Sequence, residues 1–258
     1  MRIVCLSAEA ADICAKIGAW DDVVAVSAFA PQNALTRRPV IGGFSTADCD
    51  RIVTLAPDLI ITFSDVQAEF AAQLIRAGCS VLATNQRTLA DIAQAIQMIG
   101  GALGRSASAE ALATAFLHDI EALTTTASPR PRVYFEEWPE PMISGIGWVG
   151  ELIERTSGDD VFAARRGKAS RERVVAAEDV ISANPDVIIA SWCGKPVDLA
   201  SIRNRPGFQE IAAVRRGELH AVDSDILLQP GPRVLDGARE LRRIFDAWRA
   251  RQLGALAS

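Results

Sequence analysis

"GIGWVG" at 145–150 fits the Gly-x-Gly-x-x-Gly spacing in which a glycine-rich turn brings backbone N–H groups to a pyrophosphate. That chemistry needs a strand directly before the first glycine, and "WPEPMIS" separates it from the strand-like "VYFEE". The glycines therefore predict a close backbone approach to a bulky ligand, or a turn into a helix, rather than a nucleotide site. The chain has two histidines, His118 and His220, and five cysteines, Cys5, Cys14, Cys49, Cys79 and Cys193. None falls in a zinc-ligand spacing, a Ser/His/Asp order or a Cys-x-x-Cys pair. The odd, dispersed cysteines argue against a disulfide framework and for small buried apolar residues, with one bridge left open. Cys193, between Trp192 and Gly194, is the thiol that could touch a soft metal centre, with buried packing as the competing reading. No acid/base pair stands out, so no enzyme is predicted, and no resident metal or cofactor.

What the chain does place together is aromatic. Phe29, Phe44, Phe63, Trp138, Trp148 and Trp192 fall where loops leave predicted strands. Loops at the carboxyl ends of parallel strands form the usual binding edge of such sheets, and flat rings there offer apolar faces. Trp138 and Trp192 carry this reading best, because "EEWPEP" and "SWCGKP" read as loops with polar and Pro neighbours. An isolated aromatic after a strand is otherwise a core residue.

The elements that must position these residues alternate. "RIVCLS", "DDVVAVS", "DLIITF" and "SVLATN" read as strands, separated by helical patterns that Gly18 and Gly78 help to end. Residues 1–104 thus predict a parallel sheet with helices on its faces. Residues 107–126 form one uninterrupted helical pattern with Leu112, Phe116, Ile120 and Leu123 on one face. At helical rise such a rod is about 30 Å long, enough to join two domains. Residues 105–128 are therefore assigned as an interlobe helix, and 129–258 as a second α/β lobe. The second half replays the first: "RVYFEE" follows "RIVCLS", "DDVFA" follows "DDVVA", and "ANPDVIIAS" follows "LAPDLIITF". Two like lobes joined by a rigid helix predict a ligand held between them. The terminal helix is predicted over "PRVLDGARELRRIFDAWRARQ".

This plan, with "LAPDLIIT" and "NPDVIIAS", resembles the helical-backbone substrate-binding proteins of ABC importers, which carry cobalamin, ferric siderophores or haem. "FEEWPEPMISGIGWVGELIE", "SWCG" and "LLQPGPRVLDGARELRRIF" are similar to the cobalamin-binding branch. The resemblance covers essentially the whole chain. It implies the class III periplasmic-binding-protein fold, a corrinoid as cargo, and a ligand set of Phe29, Phe44, Phe63, Trp138, Met142, Trp148, Trp192, Cys193, Asp225 and Gln229. Relatives often carry Trp or Tyr where Phe stands here, and can carry a basic residue at the place of Gln229. It also implies that Asp50 and Glu178, each seven residues before its Pro-Asp, grip arginines on two permease subunits. The family residue there is usually Glu, and Asp50 is one methylene shorter. Without the resemblance both acids read as solvated first-turn helix residues.

Bulk properties agree with a binding protein. The chain has 258 residues, enough for two domains, and 49% hydrophobic residues, enough to bury a core in each. A net charge of −5 with no Lys/Arg cluster excludes a nucleic-acid partner. "MRIVCLSAEAADICAKIG" reads as a first strand and helix rather than a signal peptide, and no apolar stretch of about 18 residues occurs. A monomer is expected, either periplasmic in a mature form or cytosolic. A cytosolic corrinoid-handling or sensor protein is the alternative outside transport. A siderophore or haem binder is the alternative within it, drawing its cations from "NALTRRPV" and "AARRGKASRER".

Overall fold

The computed structural model describes residues 1–31, 38–43, 47–167 and 169–256. The chain divides into two α/β units, Met1–Leu117 with Pro230–Pro232, and His118–Gln229 with Arg233–Ser258. The first unit runs β1 (Ile3–Cys5), α1 (Ala8–Lys16), β2 (Val23–Val26), α2 (Cys49–Thr54), β3 (Leu59–Phe63), α3 (Ala68–Arg76), β4 (Val81–Thr84) and α4 (Leu89–Ala102). Its sheet has the order β2-β1-β3-β4, with every neighbouring pair parallel. A strand covered by helices on both faces needs no polar alternation, and β1 is buried at every position. Val4, Leu6, Ala25, Ile52, Ile60 and Leu74 pack together as one core cluster. The predicted strands are borne out and are shorter by a residue or two at their ends.

Helix α4 begins at a reciprocal cap. The Asp91 N–H donates to Thr88 Oγ1 at 3.0 Å, and the Thr88 N–H to Asp91 Oδ2 at 3.0 Å. Helix α5 (Ser106–Leu123) follows, and a Cβ on Gly100 would stand 2.1 Å from that of Ala109, so glycine is what lets the two helices approach. The helix is shorter than the 107–126 expected. The threonine run closes it, with Thr124 Oγ1 donating back to Ile120 O at 3.1 Å. The division between the units falls inside α5, after Leu117.

The second unit contains β5 (Arg132–Pro139), β6 (Met142–Ser144), α6 (Gly147–Arg155), β7 (Asp159–Asp160), α7 (Ala177–Ala183), β8 (Val187–Ala190), α8 (Leu199–Arg203), α9 (Ala212–Arg216), β9 (Leu219–Ala221), α10 (Ser224–Leu227) and α11 (Val234–Leu256). Strands β7, β5, β8 and β9 stand in the order of β2, β1, β3 and β4, again parallel. The addition is β6, antiparallel to the far end of β5. Sequence reading ends the first strand at Glu137 and makes "EEWPEP" a loop. The strand instead continues through Trp138 and Pro139 and returns as β6, whose outer neighbour is an isolated bridge from Ile143 to Val174. An edge position tolerates the prolines.

The repeated Pro-Asp stretches have one structural role. In each unit a helix ends on a residue in the left-handed region, Ala56 at φ 45° and Asn184 at φ 42°. The following aspartate accepts the backbone N–H of the arginine at the start of the central strand, Asp58 from Arg2 at 2.7 Å and Asp186 from Arg132 at 3.1 Å. That arginine's guanidinium then caps the helix, at Leu55 O in the first unit (2.8 Å) and Ala183 O in the second (2.7 Å). The last carbonyls of a helix need such donors.

Candidate ligand-binding site

The carboxyl edge of the second sheet is built around two glutamates. Glu136 on β5 is fully buried. A buried carboxylate requires a charge partner and further donors. Arg205 supplies two bonds, one of them Nη2 to Oε1 at 2.9 Å, and the Tyr134 hydroxyl and the Trp192 indole N–H each donate at 3.2 Å. Burial, and then the neighbouring Glu136, push the Tyr134 hydroxyl well above its usual pKa. Burial alone would lower the Arg205 guanidinium, but the bond to Glu136 and its charge outweigh it and hold the group above its ordinary value. Glu137 points to the other face, where the buried Arg173 grips it at 2.5 and 3.0 Å and also donates to Ser144 O.

This network sets the orientation of Trp192. Its ring turns inward, 3% exposed, and packs with Tyr134, Val175, Ile188 and Phe208, because its N–H is bound to Glu136. It also lines an outer hollow of about 390 Å³, bounded further by Lys195, Val197, Val222 and Asp223. Trp148 is likewise a core residue, not an edge aromatic. It lies on the inner face of α6 with Val149, Leu152 and Ile153, and donates to Leu227 O at 2.8 Å. Trp138 does stand half-buried at the edge, its N–H on Glu140 O at 2.9 Å. Met142 is half-buried with its sulfur 3.1 Å from Arg205 Nη1. Cys193 is exposed, which overturns the buried reading. Asp225 accepts from Gln229 Nε2 at 2.9 Å and faces Arg233 at 3.6 Å, so these two predicted contacts form one polar group.

Two glycines of "GIGWVG" pack closely against protein. A strand, β6, does precede Gly145, against expectation. Yet a Cβ at Gly145 would touch the Phe135 ring, and one at Gly150 would lie 2.3 Å from Arg166 Nε, which is paired with Asp160. Close internal packing explains both.

In the first unit Phe63 ends β3 and is 8% exposed, and its N–H donates to Gln67 Oε1 at 2.9 Å. Phe29 is half-buried beyond β2. Phe44 lies outside the described residues. Beside this edge, Glu9 opens α1 fully enclosed, its Cβ 2.7 Å from where a side chain on Gly231 would begin. Burial pushes its carboxyl up to about 7. Cys5 and Cys14 are buried with sulfurs 3.9 Å apart as thiols, and no disulfide forms among the cysteines. Among the described residues no group of His, Cys, Asp and Glu could hold a metal ion.

The model of the periplasmic binding protein family matches residues 3–226. The chain belongs to that family. It is 25% identical over 252 residues to the uncharacterized ABC transporter substrate-binding lipoprotein YvrC of Bacillus subtilis, covering 93% of this chain and 78% of that protein. It is 28% identical over 256 residues to a cobalamin-binding protein of Halobacterium salinarum, covering 95% and 69%. Its fold matches that of the periplasmic heme-binding protein RhuT from Roseiflexus sp. RS-1 with a TM-score of 0.81 at 24% identity, over 95% of this chain and 97% of that one. This periplasmic binding protein is therefore a solute binder and not an enzyme. No helix among its described residues is long and apolar enough to cross a membrane.

Two surface acids of the binding protein stand apart. Asp50 and Glu178 are exposed in the first turns of α2 and α7. The capping is done by others, Asp48 accepting from the Arg51 N–H and Asp179 from the Ala176 N–H. Neither Asp50 nor Glu178 pairs with a cation among the described residues. Sequence reasoning missed Glu136, Arg205, Glu9 and Lys195. The signal for Glu136 was present, since a charged residue sits in an otherwise apolar strand run, "VYFE", where alternation would bury it.

Proposed function

We propose that this binding protein captures a corrinoid with the carboxyl-edge loops of its two units and delivers it to an ABC importer, working as a periplasmic monomer. The observation that carries the reading is the near full-length similarity to a protein named for cobalamin binding. A half-buried tryptophan, Trp138, and a half-buried Phe29 at the two sheet edges suit a broad apolar disc fringed with amides, and the Asp225–Gln229 pair suits the amides. Asp50 and Glu178, one on each unit and without a cation partner among the described residues, serve as contacts to arginines of the permease.

A ferric siderophore or haem is the second reading, supported by the fold shared with a haem binder. The cations it would draw on are largely committed inside the protein. Arg38 donates to Val23 O and Trp20 O, Arg165 binds Val174 O, and Arg166 and Arg173 pair with Asp160 and Glu137. Arg37 and Lys168 lie outside the described residues. Calorimetric titration with cyanocobalamin, cobinamide, haem and ferric siderophores decides between them. Corrinoid binding tighter than that of the iron chelates is expected, and failure of both corrinoids to bind overturns the proposal.

A further inference from the structure

Lys195 is exposed on the loop after β8, yet its ammonium is held. It lies 5.3 Å from the ring centroid of Trp138 and 5.4 Å from that of Trp192. Both rings are themselves fixed, Trp138 by its bond to Glu140 O and Trp192 by its bond to Glu136. Two indole faces attract a cation and restrict a side chain that is otherwise among the most mobile. A π-face accepts no ordinary hydrogen bond, so the ammonium's donors stay available to solvent or to a ligand.

The other cations of the edge loops differ. Arg87 is paired with Asp65 at 2.5 Å, Arg173 with Glu137, Arg205 with Glu136, and Arg233 faces Asp225 at 3.6 Å. Among the described residues, no carboxylate stands within ion-pair distance of Lys195. It lines the hollow of about 390 Å³ between the β8 and β9 loops, where it is the one cation and Asp223 the one carboxylate of the lining. We infer that Lys195 is a specificity-determining cation, seated on Trp138 and Trp192, that binds a phosphate or carboxylate group carried by the ligand.

The choice of test ligands rests on the corrinoid reading, and the arms separate the two. Cyanocobalamin carries a phosphodiester, cobinamide lacks it, and haem carries two carboxylates. Lys195→Gln, on the surface, is expected to weaken cyanocobalamin binding by about tenfold, with the loss shrinking at high salt, and to leave cobinamide within twofold. Lys195→Arg restores most of the loss. If haem binds, corrinoids do not, and Lys195→Gln weakens haem, the corrinoid reading falls and the assignment of Lys195 stands. If cyanocobalamin binds wild type and Lys195→Gln equally, or if cobinamide is weakened as much as cyanocobalamin, the assignment falls and the corrinoid reading stands.

Discussion

At the scale of single residues, two buried carboxylates make opposite demands. Glu136 is held by Arg205, Tyr134 and Trp192, which converge on it. Glu136→Gln leaves Arg205 largely buried without a counter-charge, and should cost about 3 kcal/mol, read as a lower denaturant midpoint with an unchanged slope. Because Trp192 depends on the same oxygen, its fluorescence should shift in the folded variant. Glu9 has no such partner, and burial raises its carboxyl to about 7 from 4.5. The folded state therefore holds its proton more tightly than the unfolded chain does. Stability from this group is full below pH 4.5, falls by up to ~3 kcal/mol as pH rises to about 7, and is flat above. Glu9→Gln should remove that slope, so that melting temperatures of variant and wild type converge in acid and separate near neutrality. Parallel curves would show that Glu9 does not set the slope.

At the scale of elements, much was legible from sequence, and the failures share a cause. Strands, helices and the repeated Pro-Asp punctuation follow from local composition: apolar runs, glycine stops and proline. The hairpin β5–β6 was missed because prolines at an edge look like those of a loop. The inward turn of Trp192 was not legible because the group that sets it, Glu136, lies 56 residues away in the chain. Trp148 was misplaced for a similar reason, since its partner Leu227 is 79 residues on. Local neighbours say little about a side chain whose hydrogen bond is distant. The Pro-Asp clamp is the opposite case, readable by its recurrence. Asp58→Ala and Asp186→Ala each free a strand N–H and loosen the arginine that caps a helix. Both clamps are solvent-exposed, and each substitution should cost about 1 kcal/mol, with similar midpoint shifts in the two variants.

At the scale of the molecule, the proposed recognition of cargo and of importer would use different chemistry at different places. Aromatic and amide side chains stand at the carboxyl edges of the sheets, whereas Asp50 and Glu178 are exposed on helix starts. Asp50→Lys and Glu178→Lys should each abolish co-purification with the permease in lipid vesicles while changing ligand affinity by less than twofold. Loss of ligand affinity instead would place these acids in the cargo site. Of the predicted ligand set, Trp138, Met142, Asp225 and Gln229 stand half-buried near the second sheet's edge, and Phe29 near the first.

The two halves also differ at one backbone position. Asn184 adopts its left-handed conformation at little cost and uses its side-chain oxygen to accept from the Ala212 N–H at 2.8 Å. Ala56 holds the same conformation with a Cβ that disfavours it, on an exposed turn with room for a larger side chain. The chain thus carries its own template for repair. Copying the later half into the earlier one, as Ala56→Asn, should raise thermal stability by about 0.5–1 kcal/mol without touching any residue assigned to ligand or importer. A thermostabilised version for ligand screening could start from that single exchange, checked by the shift in melting temperature.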